Sequence, residues 1–236
     1  MYKRILLKLS GEALKGENAS IVDEQYLKEI ANVVKTIHDM GTEVAIVIGA
    51  GNIWRGKIAE GIGLERVPAD FMGMLGTVIN AVCLSSTLKN IGVESTVTSA
   101  VNEIEGVVAP YSVALADQEL KAGKVVFLAG GTGKPFFTTD TAATMRAIEL
   151  KCDAILMGKN GVKGIYDSDP RKNPNAKFIK DITYDKIIEL GLTVMDLTAV
   201  ELIKDTDIQI RVFSMNDLSN FGKVIAGEDI GTTCHR

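Results

Sequence analysis

The chain has 236 residues, of which 46% are hydrophobic and 24% charged, and its formal net charge is −4. This composition is typical of a globular protein with a sizeable core. The acidic balance argues against sequence-independent binding to nucleic-acid polymers, which needs a basic face, but it leaves room for a local basic site for nucleotides. Three widely spaced cysteines, Cys83, Cys152 and Cys234, fit neither a disulfide framework nor a zinc motif. With no apolar run long enough for a signal peptide or a membrane span, we expect a soluble cytoplasmic protein with reduced thiols and no membrane contact.

Short apolar strands alternate with amphipathic helices along the chain. The predicted strands cover residues 4–9, 43–48, 94–98, 124–129, 154–157 and 209–213, and the predicted helices 23–40, 71–88, 139–150, 184–190, 198–204 and 218–226. Several strands are apolar at consecutive positions, as in a parallel sheet covered by helices on both faces. Only 167–176, with its Asp-Pro and Asn-Pro steps, has the composition of an irregular surface loop. We predict an α/β fold, one domain over 1–236, with ligands at the carboxyl ends of the strands.

The first two strands end in glycine turns with a nearby cation. Lys8 precedes Leu9-Ser10-Gly11, which places an ammonium beside backbone donors, although a lysine with a packed stem and a turn glycine would have the same sequence. The second turn, Gly49 to Gly56, has the spacing G-x-G-x4-G and lacks a clearly placed acidic ribose partner, so it is a poor dinucleotide fingerprint. Arg55 in this turn suits a phosphate, and its alternative is an ordinary surface arginine.

Asp70 is predicted to open the helix over 71–88, either as its N-cap or as a ligand contact. Met72 and Met74 on the same helix are predicted core residues.

The segment Gly130 to Asp140 joins a buried strand to a helix and is the most informative feature of the sequence. Glycine-rich strand ends that open onto a helix N-terminus present backbone N–H groups to anions, usually phosphate. It is not a P-loop, because Leu128 and Pro135 occupy the positions that require glycine and Ser or Thr. It adds hydroxyls, a cation, a carboxylate and two rings: Thr132, Thr138, Thr139, Lys134, Asp140, Phe136 and Phe137. Helix capping by Asp140 and core packing of the two rings are the alternatives.

Another candidate loop follows the predicted strand over 154–157. Asn160 lies in its glycine turn, Tyr166 offers a ring face and Asp169 an acceptor for sugar hydroxyls, although the segment alone could be a plain turn. Because carboxyl ends of parallel strands converge on one edge, these lysines, glycine turns and carboxylates together favour phosphoryl transfer. Asp196 is a further polar candidate, and its alternatives are a helix start and a subunit contact.

Five segments resemble the bacterial uridylate (UMP) kinases of the amino acid kinase family, in the same order along the chain. They are Lys8 to Leu14, Gly49 to Gly56, Ala69 to Leu75, Gly133 to Asp140 and Gly164 to Pro170. The resemblance implies a three-layer α/β/α sandwich with a mainly parallel central sheet and transfer of phosphate from ATP to UMP with magnesium. It also implies a homohexamer in pyrimidine biosynthesis, activated by GTP and inhibited by UTP.

The resemblance also implies site residues, carried over by motif match. The ATP phosphates would face Lys8, Leu9, Ser10, Gly11, Gly51 and Arg55, and adenosine would contact Asn160, Tyr166 and Asp169. UMP would contact Ala50, Asp70, Thr132, Gly133, Lys134, Pro135, Phe136, Phe137, Thr138 and Thr139. Lys8, Arg55 and Asp140 would carry catalysis, with Asp140 orienting Lys8 or a magnesium-bound water. The effector region would be Gly16, Glu17, Asn18, Ala19, Ser20 and Ile21.

The chain departs from this family in ways that bear on mechanism. Ala50 stands where many members have glycine, which implies strain if the loop needs a positive φ there. Lys159-Asn160-Gly161 also differs, which leaves open which lysine assists Lys8. Neither His38 nor His235 forms an evident catalytic pair, and His235 with Cys234 lies at a chain end expected to fray.

We expect direct in-line transfer, with magnesium carried by the nucleotide and not by protein ligands. Two alternatives remain at this point: a kinase of the same fold with another acceptor, and a non-catalytic sensor of UTP or GTP.

Overall fold

The computed structural model describes residues 2–15 and 20–236, without the side chains of Lys57 and Glu60. The predicted effector positions Gly16 to Ala19 therefore lie outside the described residues.

Nine strands form one twisted sheet, and two more form a separate antiparallel ribbon. The strands are β1 (Arg4–Leu9), β2 (Glu43–Ile48), β3 (Ser95–Ser99), β4 (Ala109–Pro110), β5 (Val125–Ala129), β6 (Ala154–Lys159), β7 (Ile165–Tyr166), β8 (Phe178–Ile179), β9 (Asp181–Thr183), β10 (Gln209–Ser214) and β11 (Thr232–His235). The sheet order is β4-β3-β5-β2-β1-β6-β10-β11-β9, and the ribbon is β7-β8. Neighbours in the sheet are parallel except β10 and β11.

Helices cover both faces of this sheet. They are α1 (Glu24–Asp39), α2 (Gly56–Gly61), α3 (Arg66–Asn90), α4 (Val113–Lys121), α5 (Thr139–Glu149), α6 (Tyr184–Leu190), α7 (Leu197–Ile203) and α8 (Ser219–Ile225), with a 3-10 turn at Gly11–Leu14. Side chains of α1, α3 and α8 share one apolar core, and those of α4 to α7 share another. Central strand β1 supplies both cores, since Ile5 and Leu7 enter the first and Leu6 the second. The predicted three-layer α/β/α fold is confirmed.

Two expectations were wrong: the start of the helix that contains Asp70, and the fraying of the chain end. Helix α3 begins at Arg66, five residues before the predicted start. Pro68 does not prevent this, since it sits in the first turn, where its missing N–H costs no hydrogen bond. Asp70 therefore lies inside the helix and is not its N-cap. The chain end does not fray either, since β11 inserts between β10 and β9 and Cys234 is fully buried.

The long helix α3 contradicts the expectation that no segment is long and apolar enough to span a membrane. By length and composition Arg66–Asn90 is apolar enough to cross a membrane. Half of its most apolar window is buried within the protein, however, and it packs on α1, β3 and β5. This packing is that of a core helix.

The three cysteines are free thiols. Burial raises the pKa of Cys152 and of Cys234 to about 12 and also raises the pKa of Cys83. Protonated, mostly buried thiols fit the structural role predicted from sequence.

Candidate active site

The candidate loops meet at one edge because four parallel strands lie side by side in the order β5-β2-β1-β6. Their carboxyl ends lead into the segments beginning at Gly130, Gly49, Ser10 and Asn160. Parallel pairing in register, for example Lys8 with Val47 and with Met157, brings the loops to the same level.

Lys8 forms an ion pair at the centre of this edge. Its Nζ lies 2.6 Å from Asp140 Oδ1, and both side chains are only about one-fifth exposed, at 17% and 21%. Asp140 sits in the first turn of α5, whose N-cap is Thr138: the Thr138 hydroxyl accepts from the backbone N–H groups of Asp140 and Thr141. Thr138 thus takes the capping role that was the alternative for Asp140, which leaves the carboxylate of Asp140 to hold the ammonium of Lys8.

Lys159 is a second cation at the same place. It ends β6, its Nζ lies 3.4 Å from the carbonyl of Val194, and burial lowers its pKa. The charge of Lys8 lowers this pKa further, while Asp140 acts in the opposite direction. The structure therefore brings Lys159 into electrostatic contact with the pair formed by Lys8 and Asp140.

A reciprocal amide pair fixes the glycine turn after β2. Asn52 and Asn80 exchange two hydrogen bonds of 3.0 and 2.8 Å, and Asn80 Nδ2 also donates to the Gly49 carbonyl at 2.8 Å. Both side chains are buried, so this network specifies how the turn sits on α3. Gly11 approaches the turn so closely that a Cβ would lie 2.4 Å from the Gly49 carbonyl oxygen.

Ala50 packs against α3 without backbone strain. Among the described residues the positive φ angles outside glycine belong to Phe136 and Lys151, so Ala50 does not need the conformation that favours glycine. A Cβ on Gly76 would lie 2.8 Å from the Ala50 Cβ. The methyl group of Ala50 therefore occupies space that α3 leaves open by having glycine at position 76.

Most of the predicted acceptor residues line a cavity of about 250 Å³ between α3 and the loop after β5, whereas Gly133, Pro135 and Phe136 do not line it. Its lining residues are Ala50, Gly51, Trp54, Gly56, Ala69, Asp70, Gly73, Met74, Thr77, Gly131, Thr132, Lys134, Phe137, Thr138 and Thr139. Sequence reasoning did not single out Trp54, Gly73 and Thr77. The signal for Thr77 was weak because its role is to accept the Gly130 N–H at 2.8 Å across 53 residues of sequence.

Asp70 ties the acceptor loop to α3. One carboxylate oxygen accepts the Phe136 N–H at 2.7 Å, and Arg66 Nε donates to the carboxylate at 2.8 and 2.9 Å. Phe136 has a φ of +74°, a conformation that costs an aromatic residue strain energy. The hydrogen bond from Phe136 to Asp70 helps to hold that conformation.

The two phenylalanines are not core residues, because Phe136 is 63% exposed and Phe137 48%. The Arg66 guanidinium lies 5.7 Å from the centre of the Phe136 ring, and Phe137 lines the cavity. Likewise Met74 is buried as predicted but Met72 is exposed. For the loop that contains the phenylalanines and for helix α3, the local sequence pattern does not show which side chains face the sheet and which face solvent.

Gly133, Lys134 and Pro135 form the turn in front of this cavity. The Gly133 N–H donates to the Gly130 carbonyl at 3.0 Å, and the Lys134 N–H donates to the Thr132 hydroxyl at 3.2 Å. The side chain of Lys134 is exposed and lines the cavity.

On the predicted donor side, Arg55 pairs with Glu12. The guanidinium contacts the Glu12 carboxylate through Nη2, and Arg55 Nε donates to the Gly51 carbonyl at 3.0 Å. Ser10, just after Leu9, caps the short helix that contains Glu12 by accepting the Glu12 N–H. Both Arg55 and Glu12 are about half exposed, so the guanidinium lies at the surface of the edge.

Asn160 lines a larger cavity, of about 840 Å³, together with Glu12, Lys15, Met215 and Asn216. Asn216 Oδ1 accepts the Gly161 N–H at 3.2 Å, so the turns after β6 and β10 are joined. Sequence reasoning missed the contribution of Met215 and Asn216, although the predicted strand over 209–213 ends just before them.

Tyr166 and Asp169 stand outside that cavity in the described part of the chain. The Tyr166 ring contacts Phe178 edge-on at 5.6 Å, and Asp169 Oδ1 accepts the Arg171 N–H at 3.0 Å within the 167–176 loop.

Asp196 lies at the start of α7, which is one of the two alternatives considered from the sequence. Its carboxylate caps α7 by accepting the Ala199 N–H at 3.0 Å, and it also accepts hydroxyl hydrogen bonds from Thr138 and Thr141 of α5. It therefore fixes the start of α5, beside Asp140.

Asp140 is the carboxylate at the centre of this edge that could hold a magnesium ion or one of its waters. Among the described residues, no group of three or more His, Cys, Asp or Glu side chains could cage a metal. Mg²⁺ is commonly held by one or two carboxylates, substrate phosphates and waters, and Asp140 provides such a carboxylate at the centre of the edge.

A sequence profile described as "Amino acid kinase family" matches residues 3–214, most of the chain. The chain belongs to the amino acid kinase family. This family member is 44% identical over 232 residues to a protein named Uridylate kinase from Pediococcus pentosaceus, a match covering 98% of this chain and 96% of the relative.

Two solved structures resemble this family member closely. UMP kinase from Bacillus anthracis has a TM-score of 0.96 and 39% identity, with 99% of this chain and 96% of that chain covered. UMP kinase from Ureaplasma parvum has a TM-score of 0.94 and 36% identity, with both chains fully covered.

Proposed function

We propose that this protein is a UMP kinase, which transfers the γ-phosphoryl group of ATP to UMP and releases ADP and UDP. The observation that carries the proposal is the acceptor cavity, built by Asp70 and the 131–139 loop at the same sheet edge as the pair formed by Lys8 and Asp140. The similarity to proteins named uridylate kinase or UMP kinase over almost the whole chain supports the choice of UMP.

The reaction is an in-line displacement. A phosphate oxygen of UMP forms a bond to the γ-phosphorus of ATP while the bond from that phosphorus to the β,γ-bridging oxygen breaks, and ADP leaves with the bonding electrons. The UMP phosphate is already anionic at neutral pH, so the main barrier is bringing two polyanions together. Lys8, Lys159, the glycine-turn N–H groups and Arg55 supply positive charge and donors, which stabilise the transferring group.

The donor and acceptor residues take separate parts in this proposal. ATP phosphates contact the turns that contain Ser10, Gly11 and Gly51, and Arg55 leaves Glu12 to reach them. Adenosine binds near Asn160, with Tyr166 and Asp169 at its margin, and UMP fills the cavity beneath Asp70. A magnesium ion bound to ATP would offset phosphate charge, with Asp140 positioned to hold one of its waters.

Self-association is part of the proposal. Helices α2 and α3 and the turn between them expose apolar side chains at Ile58, Ile62, Leu64, Val67, Phe71, Met72, Leu75 and Ile79. Val67, Phe71, Leu75 and Ile79 recur every four residues, so they line one face of α3, which suits packing against the same helix of a second copy. We propose a homodimer through this face and a hexamer of three such dimers, by analogy with the family. Leu75→Glu should dissociate that dimer in light scattering after size exclusion, and an unchanged mass would contradict it.

The remaining parts of the proposal rest on the sequence and on the family resemblance. A single domain over 1–236 follows from the uninterrupted alternation of strands and helices, and a cytoplasmic location follows from the composition. A role in pyrimidine biosynthesis, activation by GTP and inhibition by UTP follow from the resemblance alone. Ser20 and Ile21 are the part of the expected GTP-responsive region that lies within the described residues.

Product analysis tests the proposed function. Protein with Mg-ATP and UMP should form equal amounts of ADP and UDP by ³¹P NMR, and Lys8→Ala should not. ADP formed with carbamate or acetylglutamate but not with UMP would indicate a kinase with another acceptor. UTP or GTP binding by folded protein without ADP formation, unchanged in Lys8→Ala, would indicate a sensor.

A further inference from the structure

A buried guanidinium lies behind the acceptor loop. Arg146 of α5 has a side chain only 7% exposed, and its Nη2 donates to the Gly131 carbonyl at 3.3 Å. Gly131 lines the acceptor cavity whereas Arg146 does not, so the contact comes from the side of the loop away from the ligand space. Helical side chains lean toward the helix N-terminus, which explains how a residue two turns into α5 reaches back to this loop.

Two neighbours fix the orientation of this guanidinium. Its carbon lies 3.8 Å from the centre of the Tyr111 ring, and its Nη1 donates to Glu149 Oε2 at 2.8 Å. The Tyr111 hydroxyl donates to the same Glu149 oxygen at 2.5 Å, and the Tyr111 N–H donates to the Ser99 carbonyl at 2.9 Å. Burial and the Glu149 hydrogen bond raise the pKa of Tyr111, so its hydroxyl stays protonated as a donor.

The loop that Arg146 contacts begins with two glycines in left-handed backbone conformations, which glycine adopts without strain. Gly130 and Gly131 have φ angles of +77° and +58°, and a Cβ on Gly130 would lie 2.8 Å from Ser99 Oγ. Thr77 holds the Gly130 N–H, and Arg146 holds the carbonyl of the next residue. The loop is thus fixed at two successive positions, once from α3 and once from α5.

We propose that Arg146, clamped by Tyr111 and Glu149, is a positioning residue for the acceptor. It sets the peptide between Gly131 and Thr132 so that the loop fits the acceptor phosphate, and it does not contact the reacting atoms. Because the Glu149 carboxylate balances the charge of Arg146, the contribution of Arg146 is geometric. Lysine cannot replace it, since an ammonium lacks the planar guanidinium that stacks on Tyr111 and donates through two nitrogens. This inference rests on the proposed acceptor site.

Arg146→Lys tests the inference, with Arg211→Lys as the matched control. Arg211 is equally buried and donates to the carbonyls of Glu228 and Ile230, away from the acceptor cavity. We expect Arg146→Lys to raise KM for UMP about tenfold, a change of about 1.4 kcal/mol, with KM for ATP within about twofold. Arg211→Lys should lower Tm comparably without this selective change. An unchanged KM for UMP in Arg146→Lys, or equal changes for both substrates, would overturn the proposal.

Hydrogen exchange separates this inference from the proposed function. In Arg146→Lys the Gly133 amide, which donates to the Gly130 carbonyl, should exchange faster at a pH and temperature where Arg211→Lys leaves it unchanged. If the unsubstituted protein makes no UDP, the proposed function fails, but exchange still decides whether Arg146 orders the loop. Equal exchange in both variants would refute that ordering role.

Discussion

Lys8 Nζ lies 2.6 Å from Asp140 Oδ1, and this pair joins the end of central strand β1 to the first turn of α5. Both residues are partly buried, which limits the positions open to the ammonium. A lysine free in water would sample many rotamers. The ion pair with Asp140 instead fixes the position of the Lys8 ammonium before any phosphoryl group binds.

Lys8→Ala should lower kcat by about 10²–10³-fold or more, because it removes a preorganised charge from the transition state. Circular dichroism should show the fold intact. Lys35→Ala is the control, since Lys35 pairs with Asp39 at 2.7 Å on the outer surface of α1 and should have normal kcat. Near-normal turnover by Lys8→Ala would remove Lys8 from catalysis.

Asp70→Asn should mainly raise KM for UMP, by about tenfold. In the proposed acceptor site the Asp70 carboxylate would accept hydrogen bonds from the ribose hydroxyls of UMP, as the family resemblance implies, and the substitution removes this charged acceptor. Asparagine keeps one oxygen for the Phe136 N–H, so the loop should persist. Asp117→Asn, which alters a carboxylate paired with Arg4 and Lys121, is the control. An increase confined to KM for ATP would move Asp70 out of the acceptor site.

Lys159→Met should lose activity but gain stability. Because burial lowers the pKa of Lys159, its charge costs folding free energy below the lowered pKa, and the cost disappears as pH rises toward the ordinary lysine value. The gain in Tm should therefore be present at pH 7 and vanish in alkaline buffer. Calorimetry across pH measures this, and a loss of Tm at pH 7 would contradict it.

Activity profiles give an independent test of Lys159. The alkaline decline of kcat/KM for ATP should move to higher pH in Lys159→Arg, because arginine stays charged. An alkaline limb at the same pH in both proteins would show that the charge of Lys159 does not assist transfer.

Gly76→Ala should destabilise the protein by about 1–3 kcal/mol through overpacking, since the new Cβ would lie 2.8 Å from the Ala50 Cβ. Ala50→Gly in the same chain should remove the clash and leave the helix-propensity benefit of alanine at position 76. Denaturant melts of the two single variants and the double variant form the cycle. Additive changes in unfolding free energy would disprove the packing relationship.

The layers of the fold, and the sheet edge at which the candidate loops meet, could be predicted from the sequence. Strand β1 is apolar at adjacent positions because Leu6 and Leu7 enter opposite cores, and this pattern indicates a covered parallel sheet. Short elements such as α4 and β11 were missed, because few residues carry their periodicity and long-range pairing stabilises them.

Side-chain partners could not be read from the sequence. From the sequence, Asp140 could either cap α5 or pair with a cation, and in the structure Thr138 is the residue that caps α5. Phe136 and Phe137 look like core residues by composition, yet both are exposed. The hydrogen bond that helps to hold the positive φ of Phe136 comes from Asp70, 66 residues away in the sequence. Such choices depend on tertiary geometry and not on local propensity.

The acceptor measurement tests the central claim most directly. ADP release should be followed with Mg-ATP and, in parallel, UMP, CMP, dTMP, carbamate and acetylglutamate, in the unsubstituted protein and in Lys8→Ala. A UMP kinase should show strong turnover with UMP alone, and Lys8→Ala should lose this turnover. Turnover that prefers another acceptor, or none with any acceptor in folded protein that binds nucleotide, would contradict it.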